Sequence, residues 1–399
     1  MSTFKHKPGT RALSTQIVHS KPIGPEGFSS QAVPTYRGSS TFFESTAAQR
    51  SAVNPIGLDY SYGLHGNPTQ YTLAKRLAEI EGATHALVCP SGLTAIALVA
   101  QACLSNGDHW VIPDNVYGPV QSLARHLQLH SGIRFTEYDP MVPASLSRAC
   151  EPNTRLVWTE APGSLTFEVP DLQALLAIAK AKGARTGIDN TWAAGLAYRP
   201  FEHGFDFSVQ ALTKYQCGHA DVLMGAVLSN NTQAFCDLER VNRIMGLGVS
   251  PTDCELILRG LLTLPLRYKQ QGENALQIAH ALAEHSAIER VLHPALTQCP
   301  GHEFFSRDFK GMASVFSVVM KSSYTDEQAC AVIDGLELFN IAYSWGGPES
   351  LGLVVNIPDS RRKRLLDAQG QCGPILRLAI GLEDPKDLLD DLTQALNRA

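Results

Sequence analysis

The chain has 399 residues, 33 basic and 38 acidic, for a formal charge of −5, with 44% hydrophobic and 18% charged side chains. That balance belongs to a globular protein with a sizeable core, and it excludes a disordered chain, a collagen-like repeat and a coiled-coil rod. The mildly acidic total argues against nucleic acid or an anionic membrane as partner, because both need a basic footprint.

In chain order, residues 1–60 are rich in Gly, Pro, Ser and Thr and weakly periodic, which predicts an extended arm that is ordered only by packing on something else. A helix is expected next, capped by Thr69, running through Leu73, Leu77 and Ile80 and ended by Gly82. Short apolar strands then alternate with amphipathic helices. The strands read as His85–Cys89, Trp110–Pro113, Ile133–Tyr138, Leu156–Glu160, Thr186–Asp189 and Phe207–Ala211. The helices between them include Leu93–Leu104, Val120–His130 and Leu172–Lys182. This alternation predicts an α/β fold, a mainly parallel sheet flanked by helices, with its ligand site at the carboxyl ends of the strands. From about residue 261 the texture changes to a long helix (Tyr268–His285), a β-rich stretch (Met312–Met320) and a last helix (Asp387–Asn397). Three parts are therefore expected: an arm over 1–60 that contributes to a subunit interface, a catalytic domain over 61–260, and a smaller C-terminal α+β domain over 261–399.

No stretch reaches the roughly 18 apolar residues of a membrane helix, since Leu93 to Leu104 is broken by Thr94 and Gln101. The opening MSTFKHKPGT has no apolar run after it and does not read as a secretory signal. The nine cysteines have no metal-ligand spacing, and the nearest pair is Cys89 and Cys103. Reduced thiols in a cytoplasmic protein without a metal are expected.

Three places carry chemistry. Ser91-Gly92-Leu93-Thr94 joins a strand to a helix, where free N–H groups beside a glycine make a phosphate cradle; a plain turn capped by Ser91 reads equally from these residues. It matches neither the Walker nor the dinucleotide fingerprint. Asp189 ends a strand, as a partner for a pyridinium nitrogen or as a simple capping residue. Lys214 in Thr213-Lys214-Tyr215 lies just past a strand; enclosed beside a cation it becomes a Schiff-base nucleophile, and otherwise it is a solvated lysine. His219 reads as a structural histidine. Cradle, carboxylate and lysine together fit pyridoxal phosphate better than any one of them.

With these blocks the chain resembles the Cys/Met-metabolism (trans-sulfuration) family of fold-type I pyridoxal-phosphate enzymes. The resemblance runs from about Val33 to the end. It is carried by Tyr62-Gly63…Gly66-Asn67-Pro68-Thr69, Ser91-Gly92, Asp189-Asn190-Thr191-Trp192-Ala193-Ala194-Gly195 and Thr213-Lys214-Tyr215…Gly218-His219…Asp221. Tyr343-Ser344-Trp345-Gly346-Gly347…Glu349-Ser350-Leu351 and Arg377-Leu378…Ile380-Gly381-Leu382-Glu383 complete it.

The resemblance implies a role for each position. Lys214 would form the Schiff base with pyridoxal 5'-phosphate and move the Cα proton, and Asp189 would pair with the ring nitrogen. Tyr117 would stack on the ring. Gly92, Leu93 and Thr213 would hold the phosphate, with Tyr62 reaching it from a neighbouring subunit. Arg377 would clamp the substrate carboxylate, with Ser344, Trp345 and Tyr343 beside it. It also implies homodimers with shared active sites, usually paired into tetramers.

Three positions depart from the family pattern. Leu64 stands where relatives usually have arginine, Ser164 where many have asparagine, and Leu212 where many have serine. The missing cation implies weaker cofactor retention, with His65, or a basic residue that the sequence does not place, standing in for the charge. Relatives acting at Cγ commonly read Glu-Ser-Leu-Gly-Gly where this chain has Tyr343-Ser344-Trp345-Gly346-Gly347. The implied reaction is therefore β-elimination of cystathionine to homocysteine, pyruvate and ammonia. A γ-lyase or γ-synthase activity, or a non-catalytic binding protein of the same fold, stays open at this point.

Overall fold

The structure, a computed structural model, describes residues 12–21, 23, 30–51 and 60–398. Among these, strands β1 (His85–Cys89), β2 (His109–Pro113), β3 (Arg134–Tyr138), β4 (Thr154–Glu160), β5 (Arg185–Asp189), β6 (Phe207–Gln210) and β7 (Gly225–Ser229) form one sheet in the order β1-β7-β6-β5-β4-β2-β3. The β6-β5-β4-β2-β3 run is parallel, and β7 is antiparallel to both of its neighbours. The six strands expected from sequence all form, with ends moved by one or two residues. β7 was not expected: its five residues, all buried, follow a loop and carry no alternation to mark them. Strands β8 (Ile288–Leu292), β9 (Val315–Met320), β10 (Leu351–Val355) and β11 (Ile375–Ala379) form a second, antiparallel sheet in the order β10-β11-β9-β8.

Helices cover both faces of the larger sheet. On one face Trp110, Trp158 and Phe207 pack with Ile96 and Leu98, and the two indoles meet edge to face at 6.5 Å. The other face forms a core that runs from Leu73 and Leu77 through Trp192 and Tyr268 to Val315 and Ala379, so both sheets share it. The long helix is Leu264–Ala283 and the last is Pro385–Arg398. The nine cysteines are all free thiols. Among the described residues no helix is long and apolar enough to cross a membrane.

The arm departs from the expected extended form. It contains helices α1 (Leu13–His19) and α2 (Thr46–Ser51), and it is laid along helix α3 (Pro68–Glu81) of its own chain. Ile17 is buried in the shared core. The Ser20 hydroxyl donates to Glu79 at 2.7 Å, Arg76 donates to the Ser20 carbonyl at 3.0 Å, and the Ile23 amide donates to Thr72 Oγ1 at 2.9 Å. The rest of the expected arm (1–11, 22, 24–29 and 52–59) lies outside the described residues.

Asn67, not Thr69, caps α3. Its Oδ1 accepts the amides of Thr69 and Gln70, both at 3.0 Å, and Pro68 occupies the first turn, where its missing N–H costs nothing. The Thr69 hydroxyl is committed elsewhere: it accepts from the Tyr36 amide at 2.8 Å and donates to the Pro34 carbonyl at 2.9 Å, tying the arm to α3. Gly82 ends the helix at φ 74°, as expected. Replacing Asn67 by Ala is expected to cost about 1 kcal/mol of stability, read as a lower urea midpoint with an unchanged slope.

Candidate active site

Strands β4 and β5 end level with one another, with Glu160 opposite Asp189 in the register. Asp189 Oδ1 accepts the Thr191 amide at 3.0 Å, so the capping contact does form. Burial pushes the Asp189 carboxyl up in pKa, while hydrogen bonds from Thr191 and the charge of Lys214 pull it down. The turn after Asp189 is held from below by a buried polar knot. The Asn190 side chain donates to Glu81 and to the Tyr198 carbonyl, and Ser208 and Gln210 donate to the same Glu81 oxygen at 2.7 and 2.9 Å. A carboxylate from the C-terminal turn of α3 thus binds the ends of β5 and β6 together.

Lys214 lies four residues past the end of β6 and is not the solvated lysine that its position alone allowed. Its Nζ donates to Ser344 Oγ at 2.6 Å and sits over the Trp345 ring, 5.3 Å from the centroid. Burial first, then the Arg377 charge, lowers its pKa to about 8, against the opposing pull of Asp189. Ser344 has φ 78°, a left-handed conformation rare for a non-glycine residue. Gly346 next to it lies so close to the Lys214–Tyr215 backbone that a Cβ would come within 3.1 Å of the Tyr215 nitrogen. The 344–346 loop is thus clamped directly onto the lysine. Arg377, in β11, donates to the carbonyl of Ser344 at 3.0 Å and of Ala342 at 3.4 Å, while its buried Nε has no partner. Burial lowers the basicity of this guanidinium, and it carries an unused donor suited to an anion.

Helices α4 (Gly92–Cys103) and α5 (Gly118–Ser131) begin on the same side of the sheet. Ser91 caps α4 by accepting the Thr94 amide at 3.0 Å. The first intrahelical bond runs from Ala95 to Ser91, which leaves the amides of Gly92 and Leu93 ahead of the ladder. A Cβ on Gly92 would stand 2.7 Å from that of Ala211, so only glycine lets this helix start approach the segment leading to Lys214. Both readings of the Ser91 turn therefore hold together: a capped turn that also presents free amides. The Thr213 hydroxyl is engaged with Met224, donating to its carbonyl at 3.3 Å and accepting its amide at 3.1 Å. Tyr117 precedes α5. Its amide donates to Glu160 Oε2 at 2.7 Å, and its phenol is held neutral by burial and by the charges of Asp189 and Glu160. Free amides, a carboxylate, an enclosed amine and a partly exposed phenol together fit a phosphorylated pyridine aldehyde.

Not every expected residue joins this group. Tyr62 pairs with Ser40 and meets His65 edge-on at 6.1 Å. It lines a depression with Arg37, Leu64 and Gly248 that contains none of Lys214, Asp189, Tyr117, Ser344 or Arg377. Leu64 packs against Gly248. The His65 Nδ1 lies 2.8 Å from Ser61 Oγ, and burial and Arg243 hold its pKa below the ordinary value, so it is neutral at pH 7 and supplies no cation. Tyr343 is exposed and Leu212 is fully buried in the shared core. His219 contacts the Cys217 carbonyl at 2.7 Å, a structural hydrogen bond.

Sequence reasoning passed over the supports of this site. Glu160 was read only as a strand end. Arg361 and Arg364 sit in the basic run 361–364, which reads as solvated surface. Yet Arg361 donates to the Ser164 carbonyl and the Thr166 hydroxyl, and Arg364 pairs with Asp114, with Asp139 at 3.1 Å and with Glu168 at 3.6 Å. No local pattern announces these contacts, because they join segments some 200 positions apart.

The chain is similar to known proteins over nearly its whole length. It is 36% identical to the cystathionine beta-lyase of Escherichia coli (strain K12), covering 91% of this chain and 92% of that one. Identity to the cystathionine beta-lyase of Bordetella avium is 37%, with 97% and 98% covered. The crystal structure of cystathionine gamma synthase from Xanthomonas oryzae pv. oryzae, in complex with aminoacrylate and cysteine, superposes with a TM-score of 0.87 at 32% identity, covering 98% and 99%. The family model "Cys/Met metabolism PLP-dependent enzyme" matches residues 14–397, and the chain belongs to that family.

Proposed function

We propose that this protein is a cystathionine β-lyase, cleaving the Cβ–S bond of cystathionine to give homocysteine, pyruvate and ammonia. The observation that carries this reading is the contact of the Lys214 amine with Ser344 and the Trp345 ring. An indole forms the wall beside the amine, in keeping with the resemblance by which members acting at Cγ commonly read Glu-Ser-Leu-Gly-Gly here. When bound, pyridoxal phosphate supplies the electron sink that makes the Cα proton of an amino acid acidic. Lys214 would hold the cofactor at rest and, once the substrate's amine has displaced it, its freed Nζ would take that proton and carry it, with Ser344 steering the Nζ. Asp189 keeps the ring nitrogen protonated, and Tyr117 covers the ring. The Gly92 and Leu93 amides and Thr213 receive the phosphate. Arg377 grips the substrate carboxylate with the donor that is unpartnered in the protein alone, and Tyr343 stands at the mouth. The leaving sulfur takes its proton from Lys214 or from the neutral Tyr117 phenol.

Incubation with cystathionine should yield pyruvate. Release of 2-oxobutyrate instead would establish γ-elimination and overturn this reading.

The depressed pKa of Lys214 has a direct consequence for cofactor capture. Only the neutral amine attacks a carbonyl, and its fraction grows about tenfold per pH unit below the pKa. The rate at which the apoprotein takes up pyridoxal phosphate covalently should therefore rise with pH and level off above about 8. Stopped-flow absorbance should follow this rise, and it should vanish in Lys214→Ala. A profile still climbing steeply at pH 10 would contradict the enclosed amine.

Tyr62 lies apart from Lys214 in its own chain, in keeping with service to the site of a neighbouring copy. Leu64 beside it brings no guanidinium of its own and His65 is neutral, so Arg37, which lines the same depression, supplies the guanidinium on this side. Leu64→Arg should slow cofactor loss on dialysis by about tenfold, the scale of one charge-assisted hydrogen bond; equal retention would count against this assignment.

A further inference from the structure

We propose that Glu160 is a positioning residue that seats Tyr117 over the cofactor site by accepting its backbone N–H. This deepens the proposed function and rests on it, since it assumes that Tyr117 covers the cofactor ring.

Tyr117 is the residue that opens α5, and no side chain caps the helix there. What fixes its main chain is the Glu160 carboxyl, 2.7 Å from its nitrogen, delivered from the end of β4 directly beside Asp189. One strand end thus sets the tyrosine relative to the carboxylate on the next. Holding the backbone leaves the phenol free to face the site. The arrangement is costly: burial and the neighbouring Asp189 raise the pKa of Glu160 well above normal, with Glu168 adding repulsion and Arg361 and the Tyr117 amide offsetting it. A strand end needs no carboxyl to fold, so its retention beside a second carboxyl points to the bond that it makes.

The segment before Tyr117 is braced independently. Asp114 is paired with Arg364, the Asn115 side chain donates to Glu168 at 3.1 Å, and the Ser164 amide donates to the Asn115 carbonyl at 2.9 Å. Residues 114 and 115 would therefore stay in place without Glu160, and the change would fall on the Tyr117 amide, whose carbonyl still accepts from the Val120 amide at 2.8 Å.

The test is a double-mutant cycle in the cofactor-loaded enzyme, reading the visible circular dichroism per bound cofactor together with kcat and KM. Glu160→Ala should lower both dichroism and kcat by about tenfold, with KM changed less than about threefold. Glu160→Gln keeps an acceptor oxygen and should stay within about threefold of the parent. Glu160→Met fills the same space without a good acceptor and should behave as Ala does, which keeps the test open if the Ala variant folds poorly. Because Glu160 acts through Tyr117, adding Glu160→Ala to Tyr117→Ala should cause no further loss. Parent-like Glu160→Ala and Met variants, a Gln variant as impaired as Ala, or additive losses in the double variant would overturn the proposal. A parent-like Tyr117→Ala would instead sink the assignment of Tyr117, and the proposal with it.

Discussion

The structure turns on the enclosure of one amine. Withdrawing a lysine side chain from water disfavours its charged form, so the surroundings of Lys214 must be built and held. They come from distant parts of the chain: Asp189 from the larger sheet, Ser344 and Trp345 from the loop before β10, and Arg377 from β11. Lys214 follows a strand of the larger sheet, while the Arg377 charge that adds to burial in lowering its pKa comes from the smaller one. The two must dock, and the contacts that dock them are themselves centred on the neighbours of Lys214 and Asp189. The Tyr215 hydroxyl lies 2.8 Å from Ser314 Oγ and accepts the Ser314 amide at 2.7 Å. The Trp192 indole donates to the Val315 carbonyl at 3.3 Å, and Arg267 donates to the Tyr215 carbonyl at 2.9 Å. The candidate site residues Lys214 and Asp189 and the polar seam between the sheets therefore alternate along the same short stretches of sequence.

This coupling separates what the sequence makes legible from what it hides. The expected inner strands stand out as apolar runs because helices shield them; β3 at the sheet edge has two exposed residues, whereas β2 is buried along its whole length. β7 is equally buried but only five residues long, and its antiparallel direction breaks the alternation that identifies its neighbours. Asn67 was missed because Thr69 offers the same chemistry two positions later, and only the arm contacts decide between them. Within the site, Asp189, Lys214 and the Ser91 turn are legible because each follows a strand. Ser344, Trp345 and Arg377 come from family resemblance alone, since the contact of Lys214 with Ser344 spans 130 positions. Glu160, Arg361 and Arg364 carry no local signal, because the groups they hold lie on segments far away in sequence.

An acidic chain that receives an anionic cofactor and substrate needs its favourable charge to be local. The described site meets this with few cations. Arg377 keeps a buried donor without a protein partner, and pairing it with a carboxylate of the chain would raise stability while closing the site to the substrate. At the phosphate end the chain offers backbone dipoles: the Gly92 and Leu93 amides at the start of α4, admitted close to Ala211 by the absence of a Cβ. On the Tyr62 side Leu64 and the neutral His65 bring no charge, and the cation there is Arg37, which lines the same depression. Binding of phosphate then depends more on the exact placing of α4 than it would beside a guanidinium at position 64, whose long flexible stem tolerates small shifts. The fully buried Leu98 and Val99, which anchor α4 in the core beneath the site, thus contribute to cofactor affinity through packing alone.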